Sequence, residues 1–404
     1  MHCKDNIRQT LKSNLSDSTE PYLEKAINAI VSVKKSGGKV AVVVGSGPNI
    51  HEGVTTLIAE LIDKGLIDGV ITSSAVISHE MSGALDRVHR VRWEDLNDPD
   101  LPKARDSFLE ATVLDEESLQ SIEKEFKFDR NYYQALMNIP GKEIIKAAGN
   151  MGYPMGLRTE TLAREIQSLA VSAGVPFEAL AGFGADERTM LGAASRNNIP
   201  MLVGVPQLIG GGAVGLAVGD SLPITERSTR VAKILAEADV IIESAVALTQ
   251  EIHDGPFETY TGHGIWSQRQ GHWSFSLEGK TLIRIDLDPN LLQAWQYERD
   301  SGTVSKAIEN GLPKTKLMKV PFRMEMSGFA RLPGSIPVVG DIGVIWPLMA
   351  DAISQSLGIE LDFIGYPQST PEGQEMRDWI VENIKPASRD KLLRGYRRIL
   401  EGKL

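Results

Sequence analysis

Cysteine is almost missing from this chain. Cys3 stands alone in 404 residues, which excludes an internal disulfide and any cysteine-based metal cluster and points to a reducing cytoplasm. A basic excess is missing too. The formal net charge of −10 argues against a nucleic-acid or anionic-membrane surface. No uninterrupted apolar run reaches about 18 residues, and Met1-His2-Cys3-Lys4-Asp5 lacks an apolar signal core, so neither a membrane span nor a secretory leader is expected. There is no His-x-x-x-His or equivalent ligand pair, so no metal site is expected. Without a Gly-x-Ser-x-Gly elbow, and with its one cysteine beside the terminus, the chain offers no obvious nucleophile for acyl transfer. Low-complexity tracts and repeats of fixed period are also lacking. What remains is an ordinary soluble composition, 42% hydrophobic and 24% charged, long enough for about two to three domains.

The stretch that organises the rest is Lys39 to Gly53. Val40 to Val44 is an apolar, largely β-branched run that reads as a strand buried on both faces. Gly45-Ser46-Gly47-Pro48 breaks it, and a helical pattern begins near His51. Such a turn lets backbone approach a ligand, and the first turn of a helix favours an anion, typically a phosphate. The spacing Gly45, Gly47, Gly53 departs from the G-x-G-x-x-G fingerprint, because Asn49-Ile50 stands where the third glycine belongs. A tight strand-to-helix turn with no ligand is the alternative.

Periodicity predicts an N-terminal helical segment over 1–38, with Leu23, Ala26, Ile27, Ile30 and Val33 on one face and a stop at Gly37-Gly38. Val54 to Ile62 predicts a second helix and Gly69 to Ser74 a second strand, giving a βαβ unit. Residues 85–149 are dense in charge and read as a helical insertion without a buried strand, with helices over 116–128 and 131–148. Alternation resumes with a helix over 157–173, and strands are predicted at 200–205, 239–243, 281–286 and 336–341. The expected class is α/β, a parallel sheet with helices on both faces, carried by 39–84 and 150–360. Residues 361–404 read as a basic C-terminal helical tail, a solvated or docking face.

In such a sheet, ligands bind beyond the carboxyl ends of the strands, at the point where strand order reverses. Those positions hold Gly45-Ser46-Gly47-Pro48-Asn49, Ser73-Ser74, Gly210-Gly211-Gly212, Glu243, Asp286-Leu287-Asp288 and Gly340-Asp341. Small residues leave room for a nucleotide. An acid such as Asp286 or Asp288 is placed to accept from ribose hydroxyls, or else to cap a helix. His51 and His79-Glu80 follow the first two strands; if those strands are neighbours, both histidines face one crevice, as proton shuttles or as packing groups. Asp186-Glu187-Arg188 follows a glycine turn. It either anchors an amino acid, Arg188 taking the carboxylate and an acid the ammonium, or caps the helix that begins at Thr189. Tyr260, Trp266, His272 and Trp273 lie in a glycine-rich loop suited to a lid or a subunit contact.

Val42 to Gly53, followed by Leu66 to Glu80 with Ser73-Ser74-Ala75-Val76-Ile77-Ser78-His79-Glu80, resembles the LOR/SDH-type proteins, which include archaeal ornithine cyclodeaminases and the C-terminal region of arginine dihydrolase fusions. Asn198 to Gly204 and Asp286 to Pro289 resemble further segments of that family. The resemblance implies a Rossmann-like, NAD-binding fold akin to that of deoxyhypusine synthase. It implies NAD as cofactor, with redox-neutral oxidation of a small amino acid or amine to an imine, and a homo-oligomer. The cofactor would rest on Gly45, Ser46, Gly47, Pro48, Asn49, Gly53, Ser73, Ser74, Gly211, Gly212, Glu243, Asp286, Asp288 and Asp341, with His51, His79, Glu80, Asp186 and Arg188 as catalytic candidates. Departures from the family pattern are Gly210-Gly211-Gly212, Leu191-Gly192-Ala193 and the 85–149 segment. A nucleotide-binding sensor or assembly subunit without turnover is the competing expectation.

Overall fold

The computed structural model describes residues 11–402 apart from 46, 97, 99–100, 104, 150, 245–248, 314–319 and 322–323. Six apolar runs form strands: β1 (Val40–Val43), β2 (Gly69–Thr72), β7 (Met201–Val203), β8 (Val240–Glu243), β9 (Thr281–Asp286) and β10 (Ser335–Val339). They pair in parallel in the order β10-β9-β8-β1-β2-β7. The chain thus starts at the centre, builds outward through β2 and β7, then returns to the other side of β1 to add β8, β9 and β10. The reversal lies between β1 and β8, where two neighbouring strand ends send their connections in opposite directions and leave a crevice.

Alternation within β1 shows why the sheet is buried on both faces. Val40 and Val42 enter one core with helices such as Val54–Asp63 and Ile342–Leu357, whereas Ala41 and Val43 enter the other with Val231, Leu235 and Phe329. Each fully buried valine contributes about 1.5–3 kcal/mol relative to exposure. The helix Glu20–Lys35 packs on Ile342–Leu357 and is pinned by Thr19, whose hydroxyl donates to the carbonyl of Val339 at 2.6 Å.

Residues 85–149 correct the sequence reading. The segment holds strands β3 (Leu85–Arg92), β4 (Phe108–Thr112) and β5 (Lys142–Ala147), joined by the short β6 (Gly152–Tyr153) into a second sheet ordered β5-β3-β4-β6. Only Glu116–Glu125 and Arg130–Asn138 are substantial helices there, and β5 occupies ground predicted as helix. The strands were hidden by their charges, which register places opposite one another: Asp86 faces Lys146 and Arg90 faces Glu110. The sheet's other face is apolar and packs Val91 and Ala111 against Leu119, Tyr133 and Leu136.

The helix after the glycine bend is also different from expectation. Pro48–His51 makes a single turn, Gly53 breaks it at φ +68°, and the longer helix starts only at Val54. The C-terminal segment is docked. Its helix Arg389–Leu400 buries Leu392 and lays Gly395 against Phe183, where any β-carbon would meet the ring at 2.2 Å.

Candidate active site

Because β1 and β2 are adjacent, the turns that follow them share one rim of the sheet, and His79 sits close enough to His51 to lower its pKa. His79 lies on the helix Ser74–Met81, capped by Ser73, whose hydroxyl accepts from the amide of Val76 at 3.2 Å. Its ring Nδ1 meets the carbonyl of Ala148 at hydrogen-bonding range. A carbonyl only accepts, so Nδ1 carries the proton and Nε2 is left with a lone pair. Burial lowers the pKa of His79, the Ala148 bond raises it in part, and Lys146 lowers it further. His51 is lowered by burial first, then by Arg377, His79 and Lys146, and its Nδ1 is buried without a hydrogen-bond partner. Both imidazoles are therefore neutral at physiological pH, the form that accepts a proton.

The opposite wall is the charged face of the second sheet. Lys146 of β5 donates to Glu110 Oε2 at 2.6 Å, and Arg90 reaches Glu110 Oε1 through Nε at 2.9 Å and Nη2 at 2.6 Å. Asp86 accepts from the Gly149 amide at 3.0 Å; burial pushes its carboxyl up to about 7 against the opposing pull of that bond and of Lys146. Arg377, from the C-terminal helix Pro371–Asn383, donates to the carbonyl of Ile145. None of these five groups was among the sequence candidates. Lys146, Glu110, Arg90 and Asp86 lay in the segment read as a helical insertion, and Arg377 in the tail, so no local signal tied them to the histidines.

The glycine bend is open on one side: a β-carbon on Gly47 would meet nothing within 4 Å, and Pro48 is exposed. Ser46 lies outside the described residues. Asn49 is not free for a ligand. Its side chain bridges the strand reversal, accepting from Ser244 Oγ at 2.8 Å, while Trp346 Nε1 donates to that same hydroxyl at 2.8 Å. Gly53 serves packing, since a β-carbon there would lie 2.5 Å from Met376 Sδ. Gly211 presses on Ser74 and Ala75, and Gly212 lies beside Glu160; the Ser74 hydroxyl donates to Leu208 O at 2.7 Å, so these residues close a protein–protein turn.

Other candidates are placed apart from the histidines. Glu80 is fully buried and accepts from the amides of Met190 and Leu191 at 3.0 and 2.9 Å, capping the helix Met190–Arg196; burial pushes it up to about 8. Asp186 binds the amides of Arg188 and Lys385, each at 3.0 Å, and the Arg188 guanidinium donates to the carbonyl of Asn383, so the constellation staples the C-terminal segment. Asp288 accepts from Asn290 and Asp341 from Gly343, both as helix caps. Asp286 accepts from the Asp288 amide at 3.1 Å.

Glu243 ends β8 completely buried, with His253 Nε2 3.5 Å from one oxygen and Arg284 Nε 3.9 Å from the other. Neither oxygen makes a hydrogen bond, nor do the ring nitrogens of His253 or the guanidinium nitrogens of Arg284. Among the described residues no group of His, Cys, Asp and Glu is arranged for a metal ion, and no helix is long and apolar enough to cross a membrane.

An apolar cleft of about 450 Å³ opens where β7 begins, lined by Pro176, Pro200, Met201, Ile234 and Ile399. It lies at the opposite rim from the histidines; of its polar lining, Glu178 is spent on Arg227 and the Val203 amide, and Ser195, Arg230, Lys233 and Glu237 also border it.

Residues 20–217 match the family model described as deoxyhypusine synthase, in agreement with the resemblance read in the sequence. No curated protein sequence matches the chain. Among solved structures it is similar to the ternary complex of AgrE with ornithine and NAD+, at 14% identity and TM-score 0.40, covering 84% of this chain and 34% of that one. It is similar also to ArgZ, an arginine dihydrolase from the ornithine-ammonia cycle in cyanobacteria, at 12% identity and TM-score 0.40, covering 84% and 32%. A third is a conserved putative LOR/SDH protein from Methanococcus maripaludis S2, at 14% identity and TM-score 0.35, covering 86% and 69%. The chain spans about a third of the length of AgrE and ArgZ.

Proposed function

We propose that this chain is an NAD-binding enzyme that acts on a small amino acid or amine, oxidising its carbon–nitrogen bond to an imine in a redox-neutral cycle. The observation that carries the reading is His79, held by the Ala148 carbonyl as a neutral base beside His51, at the ends of the two strands that flank the glycine bend. The cofactor fits on two counts: the strand reversal between β1 and β8, and the open ground beside Gly47. Gly45, Gly47 and Pro48 of the bend, with Asp286 at the end of β9, would hold it. NAD supplies, when bound, a place for a hydride to go and return from.

The protein's own work is proton handling. A substrate ammonium must lose a proton before its carbon gives up hydride, and Nε2 of His79 takes that proton. His51, also neutral, receives or returns a second proton as the imine is hydrolysed or closed on itself. Burial keeps both rings unprotonated near neutral pH, so the base is ready without prior deprotonation.

Single-turnover absorbance at the band of reduced nicotinamide, with a panel of amino acids and amines, tests the reading. Transient reduction with one of them is expected. Tight NAD binding with no reduction by any amine would sink the enzymatic reading and favour a sensor or assembly subunit.

A further inference from the structure

The peptide that joins Ala148 to Gly149 is held from both ends. Its carbonyl accepts from Nδ1 of His79, and its N–H donates to Asp86 Oδ2 at 3.0 Å. Both atoms belong to one planar, resonance-coupled group. A carboxylate drawing on the N–H therefore adds negative charge to the carbonyl oxygen and strengthens the bond which that oxygen takes from the imidazole. Gly149 sits at φ +102°, and a β-carbon there would meet Ser82 Oγ at 2.7 Å. A glycine at this point turns the peptide so that its oxygen faces the helix Ser74–Met81 and its hydrogen faces β3.

Asp86 is 8% exposed, and among the described residues it makes no ion pair. Lys146, opposite it in the sheet, gives its ammonium to Glu110, which Arg90 also bonds. Arg87 is paired with Asp378. On its outer side Asp86 borders a cleft of about 430 Å³ whose charged groups are engaged as well: Arg158 with Glu125, Lys385 with the carbonyl of Glu382, and Asp115 with the Ser118 amide. Around His79 the charged or titratable groups are His51 and Lys146, while Glu80 turns away to the amides of Met190 and Leu191. With the Asp86 carboxyl pushed up to about 7 by burial, it changes charge in a range where His79 is already neutral. Ionising it costs stability: its contribution to the fold is complete below 3.8 and is lost as pH rises through about 7.

We propose that Asp86 is a positioning residue for His79: its negative charge, passed through the peptide between Ala148 and Gly149, fixes the Nδ1–H tautomer and raises the basicity of Nε2. The use of this linkage in catalysis rests on the reading of His79 as the base. The linkage itself is a property of the folded chain.

Proton and nitrogen-15 spectra of the full chain labelled at histidine, with His79 assigned through His79→Gln, test it above about pH 6.5, where the ring is neutral. The Nδ1–H resonance of His79 is expected to move downfield in one step with a midpoint of about 7. It should stay flat in Asp86→Asn, which keeps an oxygen for the Gly149 amide and carries no charge. At about pH 8 that variant should also slow carbethoxylation of His79 Nε2 about threefold, equivalent to about half a pH unit of basicity, with His51 as the unaffected internal standard. A purely structural role predicts neither change. It predicts a less stable Asp86→Asn, whereas removing a disfavoured charge should hold or raise the thermal midpoint above pH 7. No step in the wild-type chain, a step that persists in Asp86→Asn, or an equal step at His51 would each overturn the linkage, and the wild-type titration decides it even if the variant fails to fold. A step at His79 with no nicotinamide reduction by any amine would sink the catalytic reading and leave the linkage standing. Reduction without a step would do the reverse.

Discussion

The two halves of the central sheet treat buried charge in opposite ways. Around β1 and β2, the ionisable groups lie at a rim: His79 is tied by one ring nitrogen, Lys146 and Arg90 share Glu110, and each has an atom turned toward open space or a partner at hydrogen-bonding distance. Around β8 and β9, Glu243, His253 and Arg284 are buried to within 1% of full exclusion, yet their closest approaches are 3.5 to 3.9 Å. The first arrangement leaves groups with room to change protonation state. The second surrounds charges with protein and makes each depend on the others for compensation. Buried ionisable residues thus mark chemistry only where a path to ligand accompanies the perturbation.

The largest effect that would break this contrast is expected at the rim. His79→Gln should lower the rate of nicotinamide reduction by about 10²- to 10⁴-fold, with little change in thermal midpoint. A loss of stability comparable to the loss of rate would make His79 a packing residue. In the other half, Arg284→Ala should cost about 3–5 kcal/mol in urea unfolding, since it strands the Glu243 carboxylate. Replacing both partners, Glu243→Leu with Arg284→Met, should recover most of that. Failure to recover would mean that the pair gives more than mutual neutralisation.

Glu80 sharpens the comparison through pH. Its folded pKa of about 8 lies above the carboxylate value of 4.5, so the protonated form favours the fold. Its contribution is complete below about pH 4.5 and is lost as pH rises through about 8, at roughly 1 kcal/mol per pH unit between. Glu80→Gln should flatten that slope in stability measured from pH 5 to 8; an unchanged slope would assign it to other groups. The histidines run the other way. Their folded pKa values are lowered, so the stability they contribute is present above pH 6.5 and falls as pH drops through the folded values. The smallest effect is expected at Asp341→Ala, about 1 kcal/mol from loss of the cap on the helix Ile342–Leu357, with NAD affinity unaltered. A large loss of NAD affinity would return Asp341 to the cofactor site.

Much of the sheet was legible because its strands are short apolar runs bounded by glycine and helix patterns, and the reading of β9 as Thr281 to Asp286 matches the structure residue for residue. The second sheet was not legible, since β3 carries Asp86, Arg87, His89, Arg90 and Arg92 within eight residues and so lacks the apolar alternation that announces a strand. At the rim, the proximity of His51 and His79 followed from adjacency of β1 and β2. The occupation of Glu80 by the amides of Met190 and Leu191 did not, because a carboxylate beside a histidine in sequence points to the other side of a helix.

The residues alone determined that six β-branched runs would pair in parallel with both faces covered, because a strand apolar on every side has nowhere else to go. They also determined that the bend after Val44 would break helix and strand alike. Tertiary structure decided which charges see one another. Lys146 and Arg377 come within range of the histidines only after three distant segments have packed, and a pKa or an ion pair depends on the distance across space and on the water excluded, neither of which is written in the order of the chain.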